Sequence, residues 1–405
     1  FPALENTCWP NHDGPTMCSI RESTATRLKV LANREEEWNL RMEMVNSAQR
    51  FLVLTTYYFG NDERGGKMAD ALLAAARRGV RVVLVLDRFG QRLAQNLSRP
   101  SQRPWLQERL REIAEAGGLV VHYSPQSLRH RLVGGGVHVK IQVSEGGVAV
   151  FGSSNIAHHS FAQWNEVSLE LEGDVVAHLL REACRFARLS DDEAVALAGF
   201  LPVPRVSAAT RRLRYVREDP AGRSGRFFPF GTVHNRLTDE LVNLMDSARR
   251  SLCIASLYCK PAPALKAALL RACRRGVDVE IFHSHRDSLG VTQFPWIAAS
   301  IQYGSVLKAG ARIYENRAGE HSKMLLVDDR EVAVGSYNLE HAAHDRLIEA
   351  MIFSDDVETC EHFRALFETM RRNPGNAALT PVWLSELPLQ LQVKRWLCRP
   401  LQRWI

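Results

Sequence analysis

The sequence predicts an α/β fold built twice over its 405 residues. Three observations carry that prediction. Short apolar runs alternate with amphipathic stretches, the pattern of strands joined by crossover helices in a mostly parallel sheet. The flanks of these elements recur in the second half. Asn46-Ser47-Ala48-Gln49-Arg50 aligns with Asp246-Ser247-Ala248-Arg249-Arg250, and Ala76-Arg77-Arg78-Gly79-Val80 with Cys273-Arg274-Arg275-Gly276-Val277. Finally, one polar set is written twice at one spacing. His138 and His321 are each followed by Lys at two residues, Gly at fourteen, Asn at seventeen and Glu at twenty-eight.

In order along the chain, residues 1–33 read as an irregular segment. They carry no initiating Met and no basic-then-apolar leader, so the first residues are expected to be either an added remnant or the edge of a fragment. The first repeat is expected over 34–190. Glu35-Glu36-Glu37-Trp38 opens a helix through Met42, Met44, Val45 and Ala48, and Phe51–Thr56 is a buried strand ending in Tyr57-Tyr58-Phe59. Gly65-Gly66 precedes a helix with Met68, Leu72, Leu73 and Ala76 on one face, and Arg77-Arg78-Gly79 stops it. A strand over Val80–Leu86, a helix over Trp105–Ala116 and a strand over Leu119–Tyr123 follow. Residues 191–230, rich in Arg, Pro and Gly, read as a connector. The second repeat spans 231–372 and a tail spans 373–405.

The repeated set lies on hairpins. Val137-His138-Val139-Lys140-Ile141 alternates, so on a strand His138 and Lys140 share one face. Glu145-Gly146-Gly147 turns it into Val148–Phe151; Asp328-Asp329-Arg330 does the same after Met324–Val327. Gly152-Ser153-Ser154-Asn155 and Gly335-Ser336-Tyr337-Asn338 stand where each return strand ends. There Gly permits a tight turn and leaves Ser and Asn near His and Lys. Lys supplies fixed positive charge, Asn and Ser neutral donors, and His a nucleophile or a proton donor. The set suits an anionic tetrahedral centre such as a phosphodiester, with no metal and no cofactor.

Here the chain resembles the phospholipase D superfamily, whose signature is H-x-K-x4-D followed by G-S-x-N. His321, Lys323, Asp328, Ser336 and Asn338 match in full; the first copy, His138, Lys140, Ser153 and Asn155, departs only in carrying Glu145 at the acidic place. The resemblance implies that this acid serves folding more than chemistry. It also implies two repeats facing one another about a pseudo-twofold axis, each with a mostly parallel mixed sheet and flanking helices, the motifs meeting in one cleft. A single phosphoryl centre that needs two His requires the same arrangement. One His must attack phosphorus while the other protonates the leaving oxygen. Similarity to the superfamily assigns His138 as nucleophile, through a covalent phosphohistidine, and His321 as acid/base; symmetry leaves the reverse open. Glu166 and Glu349 are placed to hold the far ring nitrogen of a His.

Within the superfamily the first half is most similar to bacterial cardiolipin synthases, on Leu54-Thr55-Thr56-Tyr57-Tyr58-Phe59, Asp62 and Ala75–Val80; Gly335–Leu339 adds to it. That likeness implies transfer of a phosphatidyl group between phospholipids, with phosphatidylglycerol as the common substrate. Hydrolysis of phospholipid to phosphatidic acid, and metal-independent cleavage of nucleic acid, are the alternatives. The net charge of +7 favours an anionic partner, membrane or nucleic acid, without choosing. Eight scattered Cys without a Cys-x2-Cys pair argue for reduced thiols and a cytoplasmic setting. No apolar run is long enough to span a bilayer. Contact with lipid is therefore expected from the surface, peripheral on the cytoplasmic side of the inner membrane. The tail, with Trp383, Trp396 and Trp404 among Lys394, Arg395 and Arg403, has the composition of an interfacial anchor; packing on the body is its alternative. His283-Ser284-His285 and His158-His159 are weaker candidates, as headgroup contacts or plain loop pairs.

Overall fold

The computed structural model describes residues 18–97, 103–204, 210–220, 234–289, 293–380 and 382–403. Two strands come first, β1 (Cys18–Ala25) and β2 (Arg27–Leu31). The first repeat follows as α1 (Arg34–Ser47), β3 (Phe51–Thr56), α2 (Glu63–Arg77), β4 (Arg81–Asp87), α3 (Arg88–Leu97), α4 (Arg103–Glu115) and β5 (Leu119–Tyr123). Next are α5 (Leu128–Leu132), β6 (Gly136–Val137), β7 (Lys140–Ser144), β8 (Val148–Gly152), α6 (His158–Ala162), β9 (Ser168–Glu172), α7 (Asp174–Phe186) and α8 (Asp191–Ala198). The second repeat runs β10 (Arg211–Glu218), α9 (Arg236–Ser247), β11 (Ser251–Ala255), α10 (Pro263–Arg274), β12 (Asp278–Ser284), α11 (Phe294–Lys308) and β13 (Arg312–Asn316). It continues with β14 (Met324–Val327), β15 (Glu331–Gly335), α12 (His341–Asp345), β16 (Leu347–Ser354), α13 (Val357–Arg372) and β17 (Asn376–Ala378), before α14 (Trp383–Glu386) and α15 (Leu389–Cys398).

Each repeat builds one mixed sheet. The first has the order β2-β9-β8-β7-β3-β4-β5, and the second β1-β10-β16-β15-β14-β11-β12-β13-β17. Among the described residues, parallel strand pairing is confined to β3-β4-β5 and β11-β12-β13, where helices make the crossovers, apart from a two-residue pairing of β6 with β16 and three isolated bridges. The motif hairpins and their neighbours are antiparallel. "Mostly parallel" thus describes the crossover segments alone. Helices α1, α2 and α4 cover the first sheet and α9, α10 and α11 the second, each over its own apolar core. Between the sheets lies a shared core. Val175, Leu179 and Leu180 of α7 and Phe363 and Phe367 of α13 pack there against residues of both sheets. The halves are therefore one folding unit: removing either would expose this layer.

Two segments read as irregular or connecting chain hold regular structure in their described parts; residues 1–17, 205–209 and 221–233 lie outside the described residues. From Cys18 the chain is extended; β1 pairs with β10 in the second sheet while β2 pairs with β9 in the first, so this segment straddles both halves. The expected connector likewise contains α8 and β10, and β10 pairs with both β1 and β16. Its alternating Leu213 and Tyr215 are buried, and its Arg217 is neutralised by Glu182 at 2.6 Å. Arg-rich composition hid a strand whose apolar residues recur every second position.

Candidate active site

The hairpins of the motifs form as read, but the strand through His138 does not. It breaks at the His. Gly136-Val137 pairs with Leu347-Ile348 of the opposite sheet, the His138 N–H donates to Ile348 O at 2.9 Å, and only from Lys140 does β7 join its own sheet. The second copy mirrors this: Glu320 bridges Asn165, and His321 N–H donates to Asn165 O at 2.8 Å. Each His is thus anchored by the backbone of the other half.

Their side chains are crossed in the same way. His138 Nδ1 lies 3.0 Å from Glu349 Oε1 and 3.0 Å from the Ser336 carbonyl; His321 Nδ1 lies 2.8 Å from Glu166 Oε2. All these partners accept, so Nδ1 carries the hydrogen and each Nε2 is left for the cleft. Each Glu serves the His of the opposite repeat, a pairing that equal offsets along one chain do not reveal. Lys140 Nζ donates to His138 O at 2.6 Å, and Lys323 Nζ to His321 O. Both Lys are fully buried. Burial, then the neighbouring charge of Lys323, holds the Lys140 ammonium well below its ordinary range, and burial brings Lys323 down to about 8. Burial and the two Lys likewise depress His138 and His321, while burial pushes the Glu349 carboxyl upward. The cleft therefore disfavours added positive charge, and an entering anion relieves that cost.

The remaining motif residues divide by role. Glu145 accepts from the backbone N–H groups of Gln49, Arg50 and Phe51, and Asp328 from those of Arg249, Arg250 and Ser251. Both acids tie the motif hairpin to the turn before the neighbouring strand, so the longer Glu does the same work as Asp. The two serines are not cleft donors as expected. Ser153 Oγ is engaged with the backbone of Val167 at 3.0 Å in both directions, and Ser336 Oγ with Ala350 and Glu349. The motif glycines act through space: a Cβ on Gly152 would stand 2.4 Å from Ser168 Cα, and one on Gly335 2.2 Å from Ala350 O. Close approach of the next strand, more than a tight turn, requires them.

Asn155 accepts from Thr56 Oγ1 at 3.3 Å and Tyr58 N–H at 3.4 Å, leaving its buried Nδ2 without a partner among the described residues; Asn338 donates to Glu340 at 3.1 Å. Sequence reasoning passed over the residues that fix these turns. Glu37, fully buried, accepts from Arg34, Arg41, Ser154 and Ser168, and Tyr337 OH meets Thr238 Oγ1 at 2.7 Å.

The two His and two Asn line one cavity of about 340 Å³. Tyr57 meets the His138 ring edge-on at 4.7 Å, and Trp164 lies 4.9 Å from the His321 ring. Trp164, Lys260 and Arg346 are cleft residues that the motifs did not indicate; superposing the two repeats around Asn155 and Asn338 would have drawn attention to them. His159 lies tilted against Trp164 with ring centroids 4.2 Å apart, whereas His158 is a helix start held by Asp62. His283 is buried against Ser284 O and Tyr303, away from the cleft, so it is no headgroup contact; His285 faces Asp287 and Glu315. Among the described residues no cluster of three or more His, Cys, Asp or Glu could hold a metal ion.

The family described as "Cardiolipin synthase, PLD-like domain" matches residues 42–187 and 241–371, more than half of the chain. Cardiolipin synthase B of Salmonella typhimurium is 26% identical over 372 residues, covering 88% of this chain and 81% of that protein. The protein of the same name from Escherichia coli K12 is 25% identical over 375 residues with the same coverage. In fold, phosphatidylserine synthase of Haemophilus influenzae superposes with a TM-score of 0.66 over 94% of this chain and 95% of its own, at 13% identity. Two facing repeats with reciprocally clamped histidines, and a family match reaching across both, lead to one conclusion: the chain belongs to the cardiolipin synthase family of phospholipase D-like enzymes.

Proposed function

We propose that this enzyme transfers a phosphatidyl group from one phospholipid to the hydroxyl of another, phosphatidylglycerol being the substrate of choice, through a phosphohistidine. The observation that carries the reading is the reciprocal clamp. His138 and His321 face one cavity, each Nδ1 held by a carboxylate of the opposite repeat, with a buried Lys beneath each. His138 Nε2 attacks phosphorus, and the bond to the headgroup oxygen breaks as His321 gives that oxygen its proton. His321 then takes the proton of the incoming hydroxyl, whose oxygen displaces His138. Lys140, Lys323 and the free Asn155 amide steady the phosphoryl oxygens. The relatives named cardiolipin synthases support transfer over hydrolysis, which uses the same steps with water as acceptor.

The enzyme would work on the surface of an anionic membrane, on its cytoplasmic side. No helix among the described residues is long and apolar enough to cross a bilayer. Cys18, Cys184, Cys253, Cys259, Cys273, Cys360 and Cys398 are free thiols, which agrees with a reducing setting.

The test is to incubate the full chain with mixed phospholipids, and separately with single-stranded and duplex DNA, and to analyse the products by mass spectrometry. A diphosphatidyl product is expected. Phosphatidic acid alone, or cut DNA without lipid turnover, would overturn the transfer reading. Because the Lys ammoniums supply the positive charge, millimolar EDTA is expected to leave the initial rate within about twofold. A rate abolished by EDTA and restored by one divalent ion would contradict this chemistry.

The clamp has its own signature. Glu349→Gln and Glu166→Gln keep the shape but weaken the hold on Nδ1–H, and turnover is expected to fall roughly 10–100-fold with little change in KM. An equal rise in KM would instead indicate a role in binding.

A further inference from the structure

The two half-sites match in their reacting groups and differ in what surrounds them. Gly60 and Lys260 occupy equivalent places, since Gly60 N–H donates to Ile156 O and Lys260 N–H to Leu339 O, each one residue past its motif Asn. Counting on from Asn155 and Asn338, Ala157 corresponds to Glu340 and Gln163 to Arg346. The first repeat therefore lends the cleft aromatic surface from Tyr57, Tyr58 and Trp164, while the second adds Lys260, Glu340 and Arg346.

The charges on that second wall do not cancel. Lys260 and Glu340, 2% and 6% exposed, pair at 3.2 Å. Arg346 is half-buried at the cleft and makes no side-chain hydrogen bond or ion pair with the described residues. Its neighbour Asp345 is already held by Arg403 from the tail, at 2.8 and 3.0 Å. Burial keeps the Lys260 ammonium below its ordinary range against the pull of Glu340, and the charge of Arg346 adds to that depression. An anion entering here would relieve both cations.

The reacting phosphoryl group already has Lys140 and Lys323. A further uncompensated guanidinium in the same cavity suits a second phosphate. Accordingly, we propose that Arg346, beside the Lys260–Glu340 pair, forms an acceptor subsite that binds the phosphate of an alcohol bearing a glycerophosphate group. This rests on the transfer reading. The subsite holds the acceptor by its phosphate so that its free hydroxyl meets the phosphohistidine. The hydroxyl oxygen bonds phosphorus, the His138 nitrogen–phosphorus bond breaks, and the hydroxyl proton passes to His321. Water and neutral alcohols lack that handle, so the subsite biases the intermediate towards transfer. The fork geometry of Arg suits a phosphate in a way a lone ammonium does not.

The experiment is a partition measurement on the full chain in mixed micelles. Phosphatidylglycerol of one acyl mass is the donor. The acceptors, below saturation, are deuterated glycerol, soluble glycerol phosphate, or phosphatidylglycerol of a second acyl mass. In Arg346→Gln the ratio of phosphate-bearing product to glycerol product is expected to fall roughly 10–100-fold, the weight of a charge-assisted contact. Arg346→Lys should recover part of it. Loss with phosphatidylglycerol alone assigns the subsite to a lipid headgroup; equal loss with glycerol phosphate assigns it to the phosphate whatever its source. An unchanged ratio, or equal loss with all three acceptors, overturns the proposal. Failure of the underlying reading shows separately, as a wild-type enzyme that forms no transfer product with any acceptor.

Discussion

His138→Ala and His321→Ala each reduce turnover of a natural phospholipid to background. Neither step of the exchange has a substitute group, since Glu340 in the cavity wall is paired with Lys260 and Glu166 and Glu349 are engaged on the Nδ1 atoms. The expected loss is at least about 10⁴-fold, in line with the removal of one member of a group that acts as a unit. A donor with a good leaving group, such as a 4-nitrophenyl phosphodiester, separates the two roles. It needs no proton on departure, so His321→Ala should still attack it once and release a burst of nitrophenolate. The enzyme would then stall, because nothing activates the acceptor, and intact-mass spectrometry should find the adduct on His138. His138→Ala should show neither burst nor adduct. An adduct on His321 in the His138 variant would exchange the two roles while keeping the shared cleft. Near-normal turnover in either variant would remove the shared cleft altogether. Both variants should fold, because the His side chains contribute hydrogen bonds at the seam and not to the apolar layer between the sheets.

Much of this site was legible because the chain states it twice. Local alternation and glycine-bearing turns place Lys140 and Lys323 on hairpins, and equal spacing predicts that Glu166 and Glu349 serve histidines. What stayed hidden is long-range. The break of the strand at His138 arises because Gly136-Val137 finds partners in β16, more than two hundred residues away, and no local pattern encodes that choice. The crossing of the two Glu follows from the same exchange. β1 was hidden for a different reason. Cys18–Ala25 is polar and lies at the edge of a sheet, so it carries little of the apolar signal that marks buried strands. The serines illustrate a third limit: their presence in the motif predicts proximity, but the neighbouring strand decides where the hydroxyl turns, and Ser153 is turned to the backbone of Val167. Arg346 belongs to the class of residues that a motif omits because the two repeats differ there.

Replacing the outer face of α15 is expected to release the enzyme from lipid vesicles while sparing its chemistry. The tail packs on the body through one face of α15 and leaves the other open. Leu387, Leu391 and Cys398 are buried against Trp296 and Ile297 of α11, Arg395 donates to Ser300, and Arg403 pairs with Asp345. The opposite face is open: Leu389, Val393, Trp396 and Leu397 are 75%, 48%, 67% and 56% exposed. These positions fall at helical spacing, so they make one apolar stripe, with Lys394 close by for anionic headgroups. Trp404 lies outside the described residues. The stripe is carried by a helix packed on α11, and Pro295 of α11 lines the cleft. Because the inner face is part of the fold, cutting the tail after Asn376 would strip the cover from Trp296 and confound stability with lipid binding. Leu389→Gln, Val393→Gln, Trp396→Gln and Leu397→Gln together leave the buried contacts alone and keep a residue that favours helix. Partial burial of such side chains in the interface is worth about 0.7 kcal/mol each, so the four changes should weaken vesicle binding roughly 100-fold. Activity on anionic vesicles should fall in proportion, and activity on a short-chain soluble phospholipid should stay near that of the parent. Cosedimentation with vesicles and turnover in the two assays check this directly. Equal losses in both would mean that the stripe matters to the fold or the cleft; unchanged vesicle binding would mean that another surface meets the membrane.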